Sequence, residues 1–311
     1  MSQTIPLSTR LHCITQRYAR TLALLAAILA GILIPQAQAF SAWIQYFVFG
    51  MLFLSFVGLQ FDRRALRPSL LVVLLANVCV ALVAFALLAR VDKTLALAGF
   101  MTGITPTAIA APVVIALLER RVAYVVMAVL LNNVAIALLV PFLLPWLAGG
   151  QVAISMWEVL GSVLKVVILP LVLARLVHHL PEFAQKPVYR AKRFTFVLWM
   201  SSLFLVTSKA SHFLYNNVSV PWTLLAQIAA TSFVLCLINF SLGALIGGRE
   251  FRREASQALG QKNLSFTIWL ALTFVNPVVA LGPTFYVIFH NLYNSFQLYV
   301  FAKEKVRDVN E

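Results

Sequence analysis

The chain has 311 residues, of which 61% are hydrophobic and 11% charged, and its mean hydropathy is +0.91. Soluble domains carry about 25% charged residues, so this composition excludes a soluble globular protein and indicates a polytopic membrane protein embedded in a lipid bilayer. Lys and Arg outnumber Asp and Glu by 24 to 10, which gives a net charge of +14. We interpret the excess as basic cytoplasmic loops, and no nucleic-acid partner is expected.

Ten apolar stretches, each about long enough to cross a bilayer, follow one another along the chain. Residues 1–20 are expected to form a cytoplasmic lead and residues 302–311 a cytoplasmic tail. The first stretch, followed by AQAF, also has the pattern of a cleavable signal peptide. We expect it to be retained, because ten spans divide into two sets of five. The predicted spans are residues 21–36, 42–61, 69–89, 95–118, 122–148, 152–175, 194–208, 221–247, 255–276 and 279–301.

The basic residues predict the orientation of these spans. With the N-terminus inside, 19 of the 24 Lys and Arg residues fall in cytoplasmic segments, and only Arg90, Lys93 and Lys209 fall outside. Such an asymmetry is typical of proteins with basic cytoplasmic loops. It predicts an integral protein of a bacterial inner membrane with both termini in the cytoplasm. The remaining two, Lys165 and Lys262, lie within predicted spans.

The two sets of five spans, residues 21–148 and 152–301, have opposite orientations and so predict an inverted repeat. The fourth span of each set is interrupted, by TGITPTAIAAPVV and by LGQKNLS. Irregular backbone at membrane depth must be buried in protein or line a water-filled cavity, and paired interruptions are typical of a transporter binding site. Two ordinary helix kinks are the alternative. The predicted crossover residues are Gly103, Pro106, Pro112, Gly260 and Gln261.

Polar residues beside the interruptions form the predicted substrate site. A lysine and the positive N-termini of broken helices favour an anion, so the expected partner is a small organic anion that carries a carboxylate. His290 and Asn294 share one face of the last span, which lines a cavity or forms a structural hydrogen-bond stripe. Lys165 either lines the cavity or pairs with another span. The predicted site consists of Lys262, Asn263, Thr105, Thr107, Asn77, His290 and Asn294.

Three stretches, in this order, resemble the bile acid–sodium symporter family: GLQFDRRALRPSLLVVLLANV, GITPTAIAAPVVIALLERRVA and ALGQKNLSFTIWLAL. The likeness extends over about residues 20–300. It implies an all-α fold of ten transmembrane helices in two inverted repeats, with a panel of spans 1, 2, 6 and 7 and a core of spans 3–5 and 8–10. Broken spans 4 and 9 would cross within the core. The resemblance also implies transport of organic anions, commonly driven by sodium.

The departures from the family pattern concern the sodium ligands. Gly260 and Asn263 are kept, and Asn77 stands where the family has a glutamine. Apolar side chains, which offer no oxygen ligand, replace most of the others. The positions that the resemblance assigns to sodium-ligating side chains are Ala111, Pro112, Val125, Val129, Ala258 and Lys262.

These departures suggest a different charge balance at the crossing. We expect the ammonium of Lys262 to take the electrostatic role of sodium, so that transport does not need a metal ion. Gain and loss of the Lys262 proton offers a second possibility, proton coupling. In the third, sodium binds through backbone carbonyl groups and the protein is a sodium-coupled symporter of the same fold.

Enzymatic function is not predicted. The sequence contains no P-loop, GxSxG or HExxH motif, and Cys13, Cys79 and Cys236 lack metal-ligand spacing. No cofactor is expected. The alternative functional class is a non-transporting membrane sensor or scaffold.

Overall fold

The computed structural model describes residues 23, 25–59, 62–149, 155–216 and 220–310. Within these ranges the chain is helical, and the β-structure consists of one isolated bridge between Thr107 and Lys262. The predicted all-α class is therefore confirmed. Residues 1–20 and the first residues of the predicted span 21–36 lie outside the described ranges.

Thirteen helices, labelled α1 to α13, follow one another in the described part of the chain. A 3-10 segment, Pro35–Trp43, precedes α2, and a π-helical turn, Leu164–Ile168, lies within α7. The helices are α1 (25–33), α2 (Ile44–Phe56), α3 (Pro68–Leu88), α4 (Lys93–Ile104), α5 (Ala111–Leu117), α6 (Val122–Ala148), α7 (Met156–Val177), α8 (Glu182–Ala191), α9 (Thr195–Asn216), α10 (Trp222–Gly247), α11 (Arg252–Gly260), α12 (Leu264–Phe274) and α13 (Pro277–Asn310).

Several helices have the length and the apolar composition that are typical of an integral membrane protein. Six stretches in the described ranges are long and apolar enough to cross a bilayer, and the predicted spans 95–118 and 255–276 each divide into two short helices. The ten-span inverted repeat, its division at residues 148 and 152, and the orientation stay predictions. The six stretches are Pro35–Phe56, Pro68–Leu88, Val122–Ala148, Met156–Val177, Glu182–Asn216 and Trp222–Gly247.

Local sequence signals fix many helix ends. Asp92 caps α4 by accepting a hydrogen bond from the Leu95 backbone N–H at 2.7 Å, as a short acidic side chain does at an N-terminus. Pro68 begins α3, where its missing N–H is not needed. Gly149 ends α6 with a left-handed φ of 53°.

Helix α8 differs from the sequence-based expectation. The predicted spans 152–175 and 194–208 leave a loop between them, whereas Glu182–Ala191 is a helix without buried residues. Helix α9 also runs past the predicted end at 208, to Asn216. Its final turns contain Lys209, His212 and Asn216, whose polarity lowers the local hydropathy without interrupting the helix.

Contacts between the helices fall mostly within two groups. Helix α2 packs against the 3-10 segment, α7 and α9, the 3-10 segment also packs against α9, and these elements form what we call the α2 group. Helices α3 to α6 and α10 to α13 form the crossing group. The groups touch where α9 meets α12 and α13, where α2 meets α12, and where α7 meets α6. The two interrupted segments, α4–α5 and α11–α12, both lie in the crossing group.

Candidate site at the crossing of two interrupted helices

The two interrupted segments meet where their backbones are not helical. Residues 105–110 separate α4 from α5, and residues 261–263 separate α11 from α12. The Asn263 N–H donates to the Pro106 carbonyl at 2.8 Å, and the Ala108 N–H donates to the Gln261 carbonyl at 2.8 Å. These bonds flank the antiparallel bridge between Thr107 and Lys262. Each break thus supplies hydrogen-bond partners for the other, which irregular backbone at membrane depth requires.

The prolines of the first interrupted segment have different positions. Pro106 lies in the break itself, whereas Pro112 lies in the first turn of α5. A proline is tolerated in a first turn because the backbone N–H there has no partner within the helix. Pro106 therefore accompanies the end of α4, and Pro112 accompanies the start of the next helix.

The glycines do not lie where the sequence predicted. Unwound backbone was expected at Gly103 and Gly260, but each lies in the last turn of a helix. Both instead permit close packing. A Cβ on Gly103 would lie 2.8 Å from the Ala81 Cα, and one on Gly260 would lie 2.3 Å from the Phe240 ring. The two glycines thus allow α3 and α10 to pack close to the crossing. Each break comes shortly after its glycine in the sequence.

Lys262 is buried at the crossing, with 2% of its surface exposed. Its Nζ donates to the Gly103 carbonyl at 2.9 Å, to the Thr105 carbonyl at 3.2 Å and to Asn77 Oδ1. The last carbonyls of a helix lack partners within it and form the negative end of its dipole. The ammonium therefore neutralises the end of α4, and its three hydrogens match three acceptors.

Asn77 of α3 completes this arrangement from the other side. Its Nδ2 donates to the Ile104 carbonyl at 3.3 Å and to the Thr105 carbonyl at 3.2 Å, and its Oδ1 accepts from Lys262. The side chain is buried. Asn77 thus joins α3, the end of α4 and the second break in one hydrogen-bond network.

The hydroxyl groups predicted for the site are also hydrogen-bonded within the protein. Thr105 Oγ1 donates to the Met101 carbonyl at 2.7 Å and lies 2.8 Å from Thr267 Oγ1. Thr107 Oγ1 donates to the Ala258 carbonyl at 2.6 Å, in the last turn of α11. In this conformation their hydrogens are engaged with helix carbonyls, so these threonines hold the crossing together.

Tyr286 of α13 is a central residue that the sequence analysis did not select. Its hydroxyl donates to the Gly260 carbonyl at 2.7 Å, at the end of α11, and lies 3.4 Å from Asn239 Nδ2. The signal available in the sequence is the spacing of four residues from Tyr286 to His290 and from His290 to Asn294, which places all three on one helix face.

That face of α13 holds polar contacts to α11. Gln257 Nε2 donates to Asn294 Oδ1 at 2.8 Å and to Gln297 Oε1 at 2.6 Å. Gln257 is fully buried and was not among the predicted residues, although it stands one helical turn before Gln261. His290 is buried beside Tyr286, with 5.7 Å between the ring centroids. On this face Asn294 is thus hydrogen-bonded to α11, whereas the Nδ1 atom of His290 has no hydrogen-bond partner among the described residues.

Three predicted residues retain capacity for a ligand. Asn263 Nδ2 donates to Asn133 Oδ1 over a long 3.4 Å. Gln261 Oε1 and His290 Nδ1 are buried and have no hydrogen-bond partner in the described part of the chain. Buried polar atoms without partners are uncommon in proteins. Asn263, Gln261 and His290 are therefore stronger candidates for direct substrate contact than the fully bonded Lys262.

Apart from Lys262, the positions that the resemblance assigns to sodium-ligating side chains are buried and apolar. Ala111, Val125, Val129 and Ala258 each have 1% or less of their surface exposed. Pro112 is also buried. None of these side chains carries an oxygen, so a cation bound here has only backbone carbonyls as ligands at these positions.

Lys165 is not among the residues that the described contacts place at the crossing. It is exposed on α7, within the π-helical turn Leu164–Ile168. Such turns are common at functional sites, but the described contacts do not connect Lys165 with the crossing residues.

Comparison with known proteins gives one distant likeness to report. The chain is 24% identical over 203 residues to the uncharacterized protein YbaS of Bacillus subtilis (strain 168). The match covers 62% of this chain, and the chain covers 65% of the length of YbaS. No family model matches the chain.

Proposed function

We propose that the protein is a secondary transporter of a small organic anion and works by alternating access. The observation that carries this proposal is the crossing itself, in which two interrupted helices pair through their non-helical residues around a buried ammonium. Continuous helices cross a bilayer at lower cost, because their backbone groups are satisfied within the helix. Paired interruptions of this kind are typical of the binding sites of secondary transporters.

The packing groups fit the same proposal. The α2 group and the crossing group have fewer contacts with each other than within themselves. Alternating access requires one body to rock against another around a central site. The crossing group would carry the substrate site, and the α2 group would be its counterpart, as the resemblance to bile acid–sodium symporters implies for panel and core.

We further propose that transport does not depend on sodium. The ammonium of Lys262 already neutralises the carbonyl end of α4, and its three hydrogens have protein acceptors. A fixed cation makes a dissociable one unnecessary at this place. The full hydrogen bonding of Lys262 favours a role as a fixed charge over direct contact with the substrate.

The experiment is uptake into proteoliposomes in sodium and in choline media across a pH series. The purified protein is first screened for thermal stabilisation by organic anions, and the stabilising compound is used as the radiolabelled probe. We expect equal uptake in both media for the wild type. Strict sodium dependence would overturn the fixed-charge proposal and favour the sodium-coupled symporter. A pH dependence that disappears in Lys262→Gln would replace it with proton coupling.

A second variant tests the binding residues. Asn263→Ala removes an amide whose present bond to Asn133 is long, so its loss should matter chiefly when substrate is bound. We expect binding of the probe to weaken by about 1–3 kcal/mol, since substrate groups are left without a partner. Isothermal titration measures this change. Unchanged affinity in a folded variant would remove Asn263 from the site.

A further inference from the structure

Lys209 connects the two packing groups at one end of the molecule. It lies on α9, about two helical turns before the end of that helix at Asn216. Its Nζ donates to the Leu272 carbonyl of α12 at 3.3 Å, and its side chain is half-buried. Because α9 belongs to the α2 group and α12 to the crossing group, this bond joins two bodies that must separate during alternating access.

The partner of Lys209 is a helix end. Leu272 lies in the last turn of α12, where carbonyl groups lack partners within the helix and the dipole is negative. An ammonium carries three donors. Among the described residues, the ammonium of Lys209 has one hydrogen-bond acceptor, which is the carbonyl of Leu272. Lys209 thus differs from Lys262, whose three hydrogens all have acceptors and which joins elements of a single group.

We infer that Lys209 closes the passage between the two groups at this end and presents its charge to an entering organic anion when that end opens. This inference rests on the proposed function. Charged hydrogen bonds between an ammonium and a carboxylate are stronger than those to a neutral carbonyl. A carboxylate that arrives between α9 and α12 therefore competes with Leu272 for the ammonium, and its binding favours the open arrangement.

A cysteine two helical turns before Lys209 on α9 reports both on the closing of the passage and on the attraction of anions. Ser202 precedes Lys209 by two helical turns on the same face of α9 and is 2% exposed. Ser202→Cys is made in a background with Cys13, Cys79 and Cys236 replaced, and the protein is placed in lipid nanodiscs. Rates of modification are measured with an anionic reagent, sulfonatoethyl methanethiosulfonate, and a cationic one, trimethylammonioethyl methanethiosulfonate.

In this background we expect Lys209→Met to raise the rate with the cationic reagent about fivefold and the rate with the anionic reagent about twofold, because a bond that closes the passage is lost. We also expect the ratio of anionic to cationic rates to fall about two- to threefold, because a nearby positive charge is lost. Lys209→Arg should preserve both quantities. Lys93→Met is the matched control, since this ammonium lies next to Gly149 at the end of α6, within the crossing group.

An unchanged rate in Lys209→Met would overturn the closing role, and an unchanged ratio would overturn the attraction of anions. Uptake by the same variants in proteoliposomes, which enclose a lumen as nanodiscs do not, separates this inference from the proposed function. The expected labelling in a protein that transports no organic anion would overturn the function alone. Normal uptake with unaltered labelling would overturn the role of Lys209 alone.

Discussion

The two interrupted segments are built differently, although their backbones pair with each other. The first break spans residues 105–110 and contains Pro106, whereas the second spans only residues 261–263 and contains Lys262. Helix α4 ends against an ammonium, which donates to the Gly103 carbonyl. Helix α11 ends against hydroxyl groups, since Tyr286 donates to the Gly260 carbonyl and Thr107 donates to the Ala258 carbonyl.

This difference shows how the protein's own donors satisfy two helix ends in one crossing. The end of α11 has two neutral donors close by, so it needs no full charge. Near the end of α4 the hydroxyl of Thr105 is bonded to Met101 and Thr267, and the available donors are the amide of Asn77 and the ammonium of Lys262. A single charge at the end of α4 therefore makes the two helix ends electrostatically unequal.

Loss of the charge should have the largest effect. In Lys262→Met the Gly103 carbonyl and Asn77 Oδ1 lose their charged donor inside the protein, and each unsatisfied buried group is costly. We expect the free energy of unfolding to fall by about 3 kcal/mol. Thermal unfolding in detergent, followed by size-exclusion chromatography with fluorescence detection, measures the change. A melting temperature equal to that of the wild type would show that the ammonium is not needed at the end of α4.

The two packing glycines should come next. Alanine at position 260 would meet Phe240, a buried ring stacked on Tyr293 at 3.9 Å between centroids. We expect Gly260→Ala to cost about 2 kcal/mol by overpacking, and Gly103→Ala to cost at least as much, because its neighbour is the backbone of Ala81. Thermal unfolding in detergent compares both variants with the wild type.

Gly161→Ala is the matched control for these substitutions. This glycine lies in α7, and a Cβ there would have no heavy atom within 4 Å. Alanine favours a helix over glycine by about 1 kcal/mol, so this variant should be equally or more stable than the wild type. If all three variants behaved alike, close packing at the crossing would not explain the glycines.

Removal of one neutral donor should have the smallest effect. Tyr286→Phe keeps the ring but removes the hydroxyl that donates to the Gly260 carbonyl. We expect a loss of about 1.5 kcal/mol of stability, less than for Lys262→Met, measured by thermal unfolding. Tyr293→Phe is the control, because the described contacts of Tyr293 are those of its ring with Phe240. Equal losses in Tyr286→Phe and Lys262→Met would remove the distinction between the two helix ends.

Local features of the sequence located the breaks to within a few residues. Pro106 lies in the first break, and Gln261, Lys262 and Asn263 form the second, because proline and clustered polar residues disfavour a continuous apolar helix locally. The glycines were misjudged, since their poor helix propensity resembles that of a break, whereas their role here is to admit Ala81 and Phe240. Packing neighbours of this kind are not visible in one stretch of sequence.

The sequence by itself determined the membrane class, the approximate bounds of most long helices and the presence of polar residues in two interrupted segments. Each of these properties depends on neighbouring residues only. The tertiary structure decided which groups meet. Lys262 and Gly103 are 159 residues apart, and Lys209 and Leu272 are 63 apart. Their bonds depend on how whole helices pack, so the partners of Lys262, Tyr286 and Lys209 follow from the fold and not from local pattern.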